Sequence, residues 1–63
     1  MNYTVTATDS AGALSLKRHS AAAAIKKALE LLGDGCRDVC IADADGRIYG
    51  HAEFDQLREA ERT

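Results

Sequence analysis

Sixty-three residues, with eight basic against ten acidic side chains and a formal net charge of −2, suffice for one small domain. Such a chain hides only about 60% of its unfolded surface on folding. Val, Ile, Leu and Phe supply just 12 residues, near the roughly 20% level at which highly charged chains stay disordered; the low net charge here favours a folded domain with a thin core, which argues against a ligand cleft of ~300–1,000 Å³ and so against a free-standing enzyme.

Twelve alanines make up much of the apolar fraction. They add little burial but favour helix. Two tyrosines and Met1 support the core. Residues 2–8 alternate, with Tyr3, Val5 and Ala7 on one side and Thr4, Thr6 and Thr8 on the other, which predicts a half-buried strand. Asp9-Ser10-Ala11-Gly12 reads as a turn. Leu14-Ser15-Leu16-Lys17 alternates again and predicts a second short strand closing a hairpin, the alternative being an irregular lead into a helix.

Ser20 is a suitable N-cap for a helix from Ala21 to about Leu32. Ile25, Leu29 and Leu32 form its apolar stripe, with Ala21, Ala22 and Ala28 beside them and Lys26, Lys27 and Glu30 away from it. Gly33 is the expected left-handed residue at the helix exit, completed by Asp34-Gly35. A third strand is expected over roughly 37–42 and a fourth over 47–51, joined by Asp43-Ala44-Asp45-Gly46. Gly46 suits the positive-φ position of a type I turn with a G1 bulge. From Glu53 to Arg62 the pattern is helical, anchored by Phe54 and Leu57. That segment is too short to be stable unless it docks.

The expected fold is α+β, in ββαββα order over residues 1–63. Its two layers are a four-stranded, mainly antiparallel sheet with one long helix on one face, and a short C-terminal helix. The two hairpins look like a loose internal duplication. The order, with its D-x-D-G-R turn, resembles short bacterial proteins, a likeness that implies no activity.

The N-terminus has no basic region followed by an apolar run, so no signal peptide is expected. Nor does any stretch approach the ~18 apolar residues of a membrane span. The expectation is a soluble, cytoplasmic protein without membrane contact.

Two cysteines, Cys36 and Cys40, do not make a disulfide framework. In one extended strand their Cα atoms would lie about 13 Å apart, too far for a bridge. Free thiols, at least one of them buried, are expected. With His51 and Asp43 they suggest zinc only loosely, because the second ligand pair has one clear member and His19 lies elsewhere. Cys40 with His51 would be the only catalytic dyad, and no Gly-rich loop follows either Cys to supply an oxyanion pocket. The Asp43–Ile48 segment resembles the middle of an EF-hand loop. In that register Ile41 and Ala52 stand where the first acid and the bidentate Glu belong, which disfavours calcium. No phosphate-binding glycine motif is present. No cofactor and no small-molecule substrate are expected.

Charge is unevenly spread. Residues 1–27 hold Lys17, Arg18, Lys26 and Lys27 against Asp9 alone, whereas nine acids lie beyond. The four cations are a candidate binding patch for phosphates, though a solvated helix face is the simpler reading. The second face of the sheet is the other candidate. A bulged second turn would put Ile41 and Tyr49 on the core side and leave Ile48 outside with Cys40 and Ala42. A two-residue turn would reverse this. The C-terminal helix could cover that patch through Phe54 and Leu57.

Three functions follow as expectations. The first is a non-enzymatic protein-interaction or adaptor module, with a protein partner or self-association. The second is a weak nucleic-acid-binding accessory protein using Lys17, Arg18, Lys26 and Lys27. The third is a metal or thiol role.

Overall fold

Strand β1, Tyr3–Asp9, turns directly into β2, Gly12–Arg18. The two pair antiparallel from Tyr3↔Arg18 to Asp9↔Gly12. The connection is a two-residue turn in which Asp9 Oδ1 accepts from the Ala11 N–H at 2.8 Å. Gly12 sits at φ 125°, a conformation that L side chains rarely adopt. The segment 14–17 is therefore strand, and the strand is longer than expected. These relations come from a computed structural model that describes residues 2–62, with side chains described for residues 2–59. Met1, expected to support the core, lies outside the described residues.

Helix α1 spans Ala21–Gly33. Ser20 is extended, and its Oγ accepts from the Ala23 N–H at 3.2 Å, satisfying one of the free donors of the first turn. The exit differs from expectation. Gly33 remains helical, Asp34 is the C-cap, and the left-handed residue is Gly35 at φ 89°. The Gly35 N–H donates to the Leu32 carbonyl at 3.1 Å and the Cys36 N–H to the Leu31 carbonyl at 3.0 Å, a Schellman motif. Leu31 is buried, and Cys36 packs against the same core. That apolar contact across the motif draws the exit two residues beyond Gly33.

Strand β3, Arg37–Ala42, pairs antiparallel with β1, and strand β4, Ile48–Gly50, pairs antiparallel with β3. The sheet order is β2-β1-β3-β4, antiparallel throughout. Thr6 pairs with Cys40 but Thr8 with Arg37, so Asp38 and Val39 together oppose one residue of β1. Asp38 takes φ 54° at this bulge. The extra residue shifts the parity before Val39, so Arg37 shares the side of Thr8 and stays exposed while Val39 and Ile41 face the core.

β4 ends earlier than expected. His51–Glu53 form a single 3₁₀ turn, and helix α2, Phe54–Arg62, follows. Glu53 Oε1 accepts from the Gly50 N–H at 3.2 Å, which holds the chain where it leaves the sheet.

Both helices lie on one face. The core joins Tyr3, Val5, Ala7, Val39, Ile41 and Tyr49 of the sheet to Ala21, Ala24, Ile25, Ala28 and Leu31 of α1, and to Phe54 and Leu57 of α2. The buried stripe of α1 is rotated from the expected one. Ala24 and Leu31 are in it, while Ala22 is exposed, Leu32 is half-buried and Leu29 is 46% exposed. The small alanines face the sheet, where a helix and a strand can approach closely, and Leu29 and Leu32 fall to the margins while Leu31 stays buried.

Candidate interaction surface

With both helices on the core side, the other face of the sheet carries no helix among the described residues. Strand register places Thr4, Thr6 and Thr8 of β1 there, beside Ala13, Ser15 and Lys17 of β2 and Cys40 and Ala42 of β3. Ile48 completes it through its pairing with Ala42, and it is 62% exposed. Phe54 and Leu57 do not cover this patch, since both are buried on the opposite side with α1.

The second turn decides which β4 residue belongs to this face. The Asp43 N–H donates to the Arg47 carbonyl at 3.0 Å and the Gly46 N–H to the Asp43 carbonyl at 3.1 Å, with Gly46 at φ 86°. This is the bulged, three-residue turn. Ile41 therefore pairs with Tyr49 on the core side, and Ala42 pairs with Ile48 on the open side. Asp43 Oδ1 holds the turn by accepting from the N–H groups of Asp45 and Arg47, each at 2.9 Å. The acid that invited a calcium reading is thus engaged by its own backbone, as an Asx turn. Asp43→Ala should lower stability by about 1–2 kcal/mol, seen as a reduced urea midpoint, whereas Asp43→Asn keeps the acceptor oxygen and should retain most of it.

Arg47 is exposed and lies over the Tyr49 ring, 6.0 Å from its centroid. A hydrogen bond to Tyr49, its charge interaction with that group, and then Asp43 and Glu53 raise the guanidinium pKa above its ordinary value.

The four cations expected to form a patch are divided between the two layers. Lys17 pairs with Thr4 and stands on the open face. Arg18 pairs with Tyr3 on the helix side, and its guanidinium donates to the Lys17 carbonyl at 2.7 Å. Lys26 is exposed on α1, and Lys27 lies 3.5 Å from Glu30 in an exposed ion pair, a weak contact.

Cys36 and Cys40 are both free and half-buried. Cys36 belongs to the core side and Cys40 to the open face. Cys40 pairs with Gly50 rather than His51, whose ring meets Phe54 edge-on at 5.5 Å. Among the described residues no group of three or more His, Cys, Asp and Glu side chains could hold a metal ion.

A groove of about 150 Å³ runs between α1 and α2, lined by Ile25, Leu29, His51, Phe54, Asp55 and Arg58. It is smaller than the ~300–1,000 Å³ of ordinary ligand clefts. Among the described residues no helix is long and apolar enough to cross a membrane. No family model, no curated protein and no solved structure matches this chain.

Proposed function

We propose that this chain is a protein-interaction module that works without catalysis, docking partners on the open face of its sheet. The observation that carries this reading is Ile48, 62% exposed beside Ala42 and Cys40 on a face that also carries three threonines, Ala13, Ser15, Lys17 and Arg37. A large aliphatic side chain left in water on a sheet surface with polar neighbours is the kind of anchor around which interfaces form. The thin core supports a role in assembly, because small domains gain stability from partners.

Ile48→Lys tests it. The substitution leaves the buried set untouched, so the circular-dichroism spectrum should match that of the unaltered protein. A partner recovered from native lysate by the unaltered protein should bind the variant at least about tenfold more weakly. In the complex, amide exchange should slow along β3 and β4. Equal binding by both proteins, or no partner for either, would overturn the reading.

A further inference from the structure

The two edges of the sheet are not alike. β4 is three residues long and gives way at once to a 3₁₀ turn, a short edge that offers little to a passing strand. β2 runs for seven residues, Gly12–Arg18, with a regular register and no proline. The direction of its backbone groups follows from the pairings. Asp43 bonds to Arg47 across the second turn, so Ile41 points toward β4, while Cys40 and Ala42 point toward β1. Thr4 and Thr6 therefore face β3, and Tyr3, Val5, Ala7 and Asp9 face β2. The β2 residues bonded to β1 are then Gly12, Leu14, Leu16 and Arg18. Ala13, Ser15 and Lys17 present their N–H and C=O groups outward. The Lys17 carbonyl takes a bond from the Arg18 guanidinium, as an outward acceptor can.

We propose that β2 pairs antiparallel with β2 of a second copy about a two-fold axis at Ser15, joining two four-stranded sheets into one of eight strands. The register is self-complementary. Ser15 meets Ser15, Ala13 meets Lys17 and Lys17 meets Ala13, so every outward N–H and C=O of those residues finds a partner. Leu14 of one copy falls opposite Leu16 of the other, twice over, in the close non-hydrogen-bonded pairs. Both leucines are only half-buried in one copy and pack at the margin of its core.

Charge fits the same register. Arg18 of one copy lies opposite Gly12 of the other, which has no side chain, and Asp9 is the next residue across the strands on the same face. Two inter-strand spacings, about 10 Å between Cα positions, separate the cation from the carboxylate, and an extended arginine crosses that gap over the glycine. The two-fold axis makes this pair twice. The two Lys17 side chains are offset along the strands and do not face each other.

This inference rests on reading the chain as an interaction module, and it names a second copy as one partner. It uses the edge rather than the face, so the two fail separately. Sedimentation equilibrium of the purified chain in reducing buffer, at micromolar to several hundred micromolar concentration, should show a monomer–dimer equilibrium. Ser15→Lys puts two like charges directly opposite at the axis while remaining solvated in the monomer, and should weaken the dimer at least about tenfold. Ser15→Pro removes the outward N–H at the axis and should do the same, since an edge strand can accept proline where its N–H faces solvent. If the proline variant loses its circular-dichroism signal, the lysine variant alone decides. Ile48→Lys should leave the dimer intact. A strict monomer, or a dimer unmoved by Ser15→Lys, would overturn edge pairing and leave the open-face reading standing. A dimer broken by Ile48→Lys but not by Ser15→Lys would overturn edge pairing and assign the open face to a second copy.

Discussion

Ile41→Ala should destabilise the protein by about 2–5 kcal/mol. Ile41 has no exposed surface. It stands in the central strand β3, paired with Val5 on one side and Tyr49 on the other. Truncation removes buried methyl groups and leaves a cavity that three neighbouring elements must collapse to fill. Domains hold roughly 0.05–0.15 kcal/mol of stability per residue, so a chain this short keeps only about 3–9 kcal/mol in all. A loss of this size leaves much of it unfolded at room temperature. Urea titration followed by circular dichroism measures the effect. Ile48→Ala is the matched control, because the same change at an exposed position should move stability by no more than about 0.5 kcal/mol.

Leu57→Ala should cost a similar 2–5 kcal/mol, with a different signature. Leu57 is 2% exposed and lies in α2, which has nine residues. Isolated helices shorter than about 12–15 residues are marginal in water, so α2 depends on docking. Its anchors are Phe54 and Leu57, which share the core with Ile25 and Tyr49. Losing one anchor should release α2 before the sheet opens. Hydrogen exchange should show amides of residues 54–62 losing protection while those of β1 and β3 keep theirs. Uniform loss of protection across all elements would show that α2 is instead part of a single cooperative unit.

Much of this architecture is legible in residue order. Alternation announces β1 and β2, Ser20 marks the start of α1, and Gly46 identifies the bulged turn that fixes the register of β4. What escaped depends on contacts between distant segments. Gly33 and Gly35 are both plausible helix terminators. Gly35 takes the role because the packing of Leu31 and Cys36 carries the helix past Gly33. The stripe through Leu29 and Leu32 follows hydrophobicity, but the sheet selects Ala21, Ala24 and Ala28, whose small size suits close approach. The bulge at Asp38 has no glycine to signal it, and only the pairing with β1 exposes it. For the candidate surface, a bulged turn groups Ile48 with Cys40 and Ala42, whereas the two-residue turn the sequence also allows does not. Which side α2 would take was not legible, since Phe54 and Leu57 could anchor it on either face.

The second turn carries one residue more than the first, although both follow an aspartate that accepts from the N–H two residues on; the positive-φ glycine lies inside the second turn but just after the first. In a strand that difference is one of parity, because side chains alternate with a period of two. In the first hairpin the even count sends Leu14 and Leu16 toward the helices. In the second the odd count sends Tyr49 inward and turns Ile48 to the water. The same residues closed by a two-residue turn would set Ala42 opposite Tyr49, and so offer a tyrosine outside and an isoleucine within. The chemical character of the open face is thus written less in β4 than in which residues close the turn before it.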